Sequence, residues 1–106
     1  MKKLFISQPM RDKTDEQIEA ERNAAIKSAK DALGETQIEV IDSFFKNAPH
    51  DAKPLWFLGK SFELLSTADV VYFCKDWEKY RGCKMEHEAA KQYLEDTGVR
   101  ILHYND

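Results

Sequence analysis

Cysteine is scarce in this sequence, and its placement excludes several architectures. Only Cys74 and Cys83 occur, with no Cys-x-x-Cys pair. A disulfide scaffold or a zinc ribbon is therefore excluded, and free thiols in a reducing cytoplasm are expected. Four glycines and three prolines are too few for a collagenous or low-complexity chain. Neither Gly-x-Gly-x-x-Gly nor Gly-x-x-x-x-Gly-Lys is present, which removes the dinucleotide fingerprint and the P-loop. His50, His87 and His103 have no spacing to one another or to cysteine that would hold zinc, and no metal or cofactor is expected. Basic excess is also lacking: sixteen Lys and Arg face nineteen Asp and Glu, a formal net charge of −3. That argues against a nucleic-acid partner and against anchoring on an anionic membrane. No run reaches the ~20 apolar residues of a bilayer span. Gln8 and Pro9 break the apolar start too early for a signal peptide.

What is present is ordinary globular composition, 42% hydrophobic and 33% charged over 106 residues, enough for one domain over 1–106. Residues 3–7 are apolar on both faces and predict a buried strand. Pro9 fixes the loop that follows. Thr14-Asp15-Glu16-Gln17 matches a capping box. A long helix should follow, with Ile18, Ala25, Ala29, Ala32 and Leu33 on one side and Gly34 as its stop. Residues 38–41 predict a second strand. Pro54 suits the first turn of a second helix, striped by Leu55, Leu58, Phe62 and Leu65. Residues 69–74 read as the clearest strand, and residues 75–81 as a charged, aromatic loop. A third helix runs from Cys83 to about Asp96, and Thr97-Gly98 leads into a last strand over 99–102. This alternation predicts an α/β domain whose parallel sheet of four strands, in the order 2-1-3-4, carries helices on both faces.

Ligands of such sheets bind beyond the carboxyl ends of the strands, where the strand order reverses. That selects the loops over residues 7–13, 42–46 and 75–82. In the first, Ser7 offers a hydroxyl and Arg11 a bidentate fork, ahead of a helix N-terminus that favours an anion; a plain strand-to-helix turn is the alternative. On the third helix, stepping back from the stripe of Ala89, Ala90, Tyr93 and Leu94 lands on Glu86. A carboxylate on a sheet-facing stripe is costly to bury and marks a candidate nucleophile or general base. Glu88 and His87 point elsewhere. Cys83 near the helix start suits packing better than thiolate chemistry. Trp77 either stacks on a planar ligand or caps the core, and Asp69 is structural. The Trp56-Phe57 pair is more apolar than one helix face needs, which an oligomer contact or burial on two sides would explain.

The block Phe5-Ile6-Ser7-Gln8-Pro9-Met10-Arg11, followed by Thr14-Asp15-Glu16-Gln17-Ile18, resembles the opening of the short DUF4406 proteins of phages and bacteria. Those are similar in turn to nucleoside 2-deoxyribosyltransferases and nucleotide N-glycosidases. A second block, Ala68-Asp69-Val70-Val71-Tyr72, then Asp76-Trp77, then Gly82-Cys83-Lys84-Met85-Glu86 with Ala89-Ala90, resembles the transferase pattern of a strand, a loop and a helix opened by Gly-x-x-x-Glu. The resemblance implies a flavodoxin-like three-layer sandwich and cleavage of an N-glycosidic bond with no cofactor. Glu86 then falls on the carboxylate nucleophile; Asp76, at a different place in the loop from the acid of the family, is the candidate to protonate the leaving base. The resemblance also makes Ser7, Gln8, Pro9, Met10 and Arg11 the holders of the sugar or its phosphate. Trp77 would lie near the base, Asp42 and Ser43 on the far wall, and Gly82 and Cys83 beside the nucleophile. The chain departs from the pattern at Tyr80, where the transferases carry an acid, and no acid stands among Gly59, Lys60 and Ser61. A small-molecule nucleoside or nucleotide partner, a homo-oligomer and a cytoplasmic location are expected. Alternatives are a phage-type nucleotide-binding or sensing domain without turnover, and an interaction protein built on the aromatic helix.

Overall fold

Leu4, Phe5 and Ile6 are buried on both sides of the chain, and β1 (Lys2–Ser7) accordingly runs through the middle of the sheet. The computed structural model describes residues 1–105. After β1 come α1 (Asp15–Leu33), β2 (Ile38–Val40), α2 (Pro54–Leu65), β3 (Val70–Phe73), α3 (Arg81–Tyr93) and β4 (Arg100–His103). Single 3₁₀ turns cover Trp77–Lys79 and Glu95–Thr97. All pairings are parallel, in the order β2-β1-β3-β4. This is the α/β sheet expected from the sequence.

Strand order places the helices. The crossover from β1 to β2 runs one way and the crossover from β2 to β3 runs back over β1, so right-handed connections put α1 on one face and α2 with α3 on the other. Leu4, Ile6, Val70 and Tyr72 pack with Ala25 and Ala29 of α1. Phe5, Val71 and Phe73 pack with Leu65 of α2 and Ala90 of α3. The reversal falls between β1 and β3, whose carboxyl ends are in register at Ser7 and Phe73.

The caps follow the local rules. Gln17 N donates to Thr14 Oγ1 while Thr14 N donates to Gln17 Oε1, and Gly34 closes the helix in the left-handed conformation at φ 67°. Lys3 N donates to Asp69 Oδ2 at 2.8 Å, so Asp69 ties two strands together. Three details differ from the expected pattern. Arg22 takes a place on the inner stripe of α1, while Ala32 is exposed. α3 starts at Arg81 and gives way after Tyr93 to a separate turn, and β4 ends one residue later than expected. The stripe of α2 is buried only at its C-terminal end: Leu65 reaches the sheet, but Leu55 is 75% exposed, because the start of this helix overhangs the strand ends. No helix among the described residues is long and apolar enough to cross a membrane.

Candidate functional site

Three elements converge on one carboxylate. Ser7 is the last residue of β1, Ser61 lies on the inward side of α2, and Glu86 stands in the second turn of α3. Ser7 Oγ donates to Glu86 Oε1 at 2.6 Å, and Ser61 lines the same opening beside the carboxylate. Glu86 is only 7% exposed. Among the described residues it forms no salt bridge. Burial pushes its carboxyl above the ordinary range, and the two serine hydroxyls oppose that shift. A buried carboxylate held by a neutral hydroxyl, with no salt bridge among the described residues, is a perturbed group with oxygen left for chemistry.

The opening around Glu86 has two arms. The larger is a cleft of about 1290 Å³ between the loop after β1, the start of α2 and the start of α3. Arg11, Lys79, Arg81 and Lys84 line it, and Glu86 is its one acid among the described residues. The smaller is a slot of about 360 Å³ walled by Phe44, Phe45 and Phe57. Glu86, Ser61, Gln8, Met10 and Arg11 line both arms, so the carboxylate stands where a cationic arm meets an aromatic one.

The loop after β1 is held in place by Gln8, whose Nε2 donates to Ile18 O at 2.7 Å and Glu21 Oε1 at 3.0 Å. Its Oε1 is buried without a partner. Pro9, Met10 and Arg11 follow into the cleft, as do Gly82 and Cys83 from α3. Burial pushes the Cys83 thiol up to about 11, so it stays protonated near neutrality. The N-terminus of α1 is occupied by its own capping box and by Asp15 and Glu16, which leaves Arg11 as the anion-binding group of this loop.

Of the other residues expected at the site, Ser43 is there, while Asp42, Asp76 and Trp77 are placed apart from it. Ser43 lines the slot, accepts from Arg22 and donates to Ile6 O at 3.4 Å. Asp42 lines a different cavity, beside α1. Asp76 has φ 67° and pairs with Lys79 at 3.4 Å; it does not line either arm of the Glu86 opening. Trp77 stacks on His87, with ring centroids 4.0 Å apart, and packs on Phe73. It caps the core there and lies outside both arms. No cluster of three His, Cys, Asp or Glu among the described residues could hold a metal ion.

Sequence reasoning missed Ser61 and the phenylalanine slot. Ser61 carried a readable signal: it sits between Leu58 and Leu65 at helical spacing, a polar residue on an apolar stripe, the same anomaly that exposes Glu86. The slot had none, because Phe44, Phe45 and Phe57 come together only through the irregular segment before α2. Comparison with protein-family models, curated proteins and solved structures finds no match.

Proposed function

We propose that this chain binds a nucleotide at Glu86 and cleaves its N-glycosidic bond, as a deoxyribosyltransferase or N-glycosidase. The observation that carries the reading is the buried Glu86, held by Ser7 at 2.6 Å at the junction of a cationic and an aromatic arm. A nucleotide has the matching parts in the matching order. Its base presents flat faces suited to Phe44, Phe45 and Phe57, its sugar lies over the carboxylate, and its phosphate reaches Arg11 and Arg81. A Glu86 oxygen attacks the anomeric carbon through an oxocarbenium-like transition state. The carbon–nitrogen bond breaks, its electron pair stays on the base nitrogen, and that nitrogen takes a proton from water in the open cleft. Water or an acceptor base then displaces Glu86 from the sugar. Glycosidases acting on alcohol leaving groups need a second carboxyl to protonate the oxygen. A nucleobase delocalises the departing charge over its ring, which suits a cleft with one acid. A second copy of the chain covering Leu55 and Phe62 would close the overhanging end of α2.

A non-catalytic nucleotide sensor is the second reading. What favours it is the upward shift of the Glu86 carboxyl, which disfavours the anion a nucleophile needs. The test incubates the protein with deoxynucleosides and deoxynucleoside monophosphates and follows free base by chromatography. Release that disappears in Glu86→Ala supports catalysis. Calorimetric binding without release supports the sensor, and silence in both assays sinks both.

A further inference from the structure

Outside this opening, the least explained buried charge is Arg22, nine-tenths buried at 9% exposure. Its Nη1 donates to Ser43 Oγ and its Nη2 to Ile41 O, each at 3.2 Å. Both acceptors are neutral, and among the described residues Arg22 forms no salt bridge. A guanidinium has five N–H donors, so most of its capacity meets no protein acceptor. These two bonds latch α1 to the end of β2, but a latch of that kind needs no charge, and a buried ion without a counter-ion is costly. Burial accordingly draws the guanidinium below its ordinary value, with Asp42 the strongest opposing influence.

Arg22 lines a cavity of about 550 Å³, inside the ~300–1,000 Å³ range of small-molecule sites. Phe44, Phe45 and Trp56 give it flat apolar walls. Lys46 and Glu19 pair with each other at its edge. Among the described residues neither the Arg22 guanidinium nor the exposed Asp42 carboxylate makes a salt bridge, though each lies in the field of the other.

We propose that this cavity is a second ligand site that takes a keto purine, guanine above all, independently of the catalytic reading. Arg22 donates to O6 and N7, the pairing by which arginine reads guanine elsewhere. Asp42 accepts from N1–H and the 2-amino group, and the ring stacks on Trp56 and the phenylalanines. Adenine presents an amino donor where guanine has its carbonyl, and so sets donor against donor at Arg22. Phe45, Trp56 and Phe57 belong to one ring cluster, and Phe45 and Phe57 also wall the slot beside Glu86. An occupant of this cavity therefore presses on the wall of the first site.

The chain has two tryptophans, so by NMR the indole N–H of Trp56 reports on this cavity and that of Trp77, which lines neither opening, serves as the reference. Guanosine is titrated into Glu86→Gln protein, so that nothing is turned over. The expected result is a saturable shift of the Trp56 signal and not of Trp77, half-complete below about 1 mM, with adenosine weaker by about tenfold or more. Arg22→Gln removes the shift and Arg11→Gln leaves it. Because Arg22→Gln also loses the latch, the exposed Asp42→Asn is the second variant, expected to weaken guanosine about fivefold with the native spectrum retained. The proposal is overturned by no Trp56 shift up to about 10 mM guanosine, by an equal response to adenosine, or by a shift that survives both variants. A response lost in Arg11→Gln instead puts guanosine at Glu86, which overturns the second site and leaves the catalytic reading standing.

Discussion

Glu86 and His87 are neighbours on α3, yet they meet burial in opposite ways. Glu86 turns into the cleft, where the Ser7 hydroxyl donates to it and Ser61 lines the opening beside it. His87 turns toward β4, where its Nε2 lies 2.9 Å from His103 Nε2 and its ring lies flat on Trp77. The two histidine rings have centroids 5.1 Å apart, so they meet tip to tip in an N–H···N bond, one ring donating and the other accepting. The first environment leaves reactivity unspent; the second consumes it in packing. A perturbed titratable group is thus a functional candidate only when what faces it is open space and a few donors.

The largest effect that separates the two neighbours is on chemistry. Glu86→Ala is expected to lower base release by on the order of 10³-fold, about 4 kcal/mol of transition-state stabilisation. His87→Ala should stay within about threefold of wild type, since its ring lies on the far side of the helix. Equal losses in the two variants would erase the distinction. A different substitution damages both regions together. Phe73 is fully buried, pairs in register with Ser7, and touches Trp77, His87 and His103. Phe73→Ala should therefore cost about 3–5 kcal/mol of stability in denaturant unfolding. A loss below about 1 kcal/mol would mean that the two regions do not share a floor.

How far the sequence announces these features follows from the range of the interactions. Strand order and helix placement were legible because apolar periodicity and caps such as Thr14 and Gly34 are local signals. Glu86 was legible for the same reason: a charge interrupting a helical stripe needs only its own helix to be noticed. Asp76 looked equally eligible, being acidic and in the right loop. Its left-handed backbone and its pairing with Lys79 depend on a turn whose geometry no spacing rule gives. Trp77 left two readings open, and only the packing of Phe73 against it decides between them. The wall of phenylalanines and the Arg22 latch join residues far apart in sequence through irregular chain, where no periodicity exists to read.

A smaller effect tests the burial of Glu86 through stability rather than rate. Its folded carboxyl titrates above the unfolded value of 4.5 because burial disfavours the anion. Its stabilising contribution is therefore complete below pH 4.5 and is lost as pH rises through the folded value. Glu86→Gln keeps the hydrogen-bonding shape without the charge, and should melt several degrees higher than wild type at pH 7. That difference should shrink to nothing toward pH 4. A variant that melts lower at pH 7 would show that the anion is favoured in the fold and would reverse the contrast with His87.

The smallest effect concerns His87, and its sign is opposite. Burial first, then His103 and Lys91, draw its imidazole below the ordinary 6.5, while Glu88 and Glu95 oppose. The folded chain thus binds a proton at His87 less readily than the unfolded chain. The stability this contributes is present above pH 6.5 and is lost as pH falls through the folded value. Protonation of His87 puts a charge on the ring that lies flat on Trp77, so acidification is also read at that stack. Melting curves from pH 8 to pH 5 should show a decline below about 6.5 that is shallower in His87→Gln, with a matching loss of the pH-dependent change in Trp77 fluorescence. If wild type and variant decline in parallel while Trp77 stays silent, the pair is mere contact, and packing alone accounts for the side of α3 that faces away from Glu86.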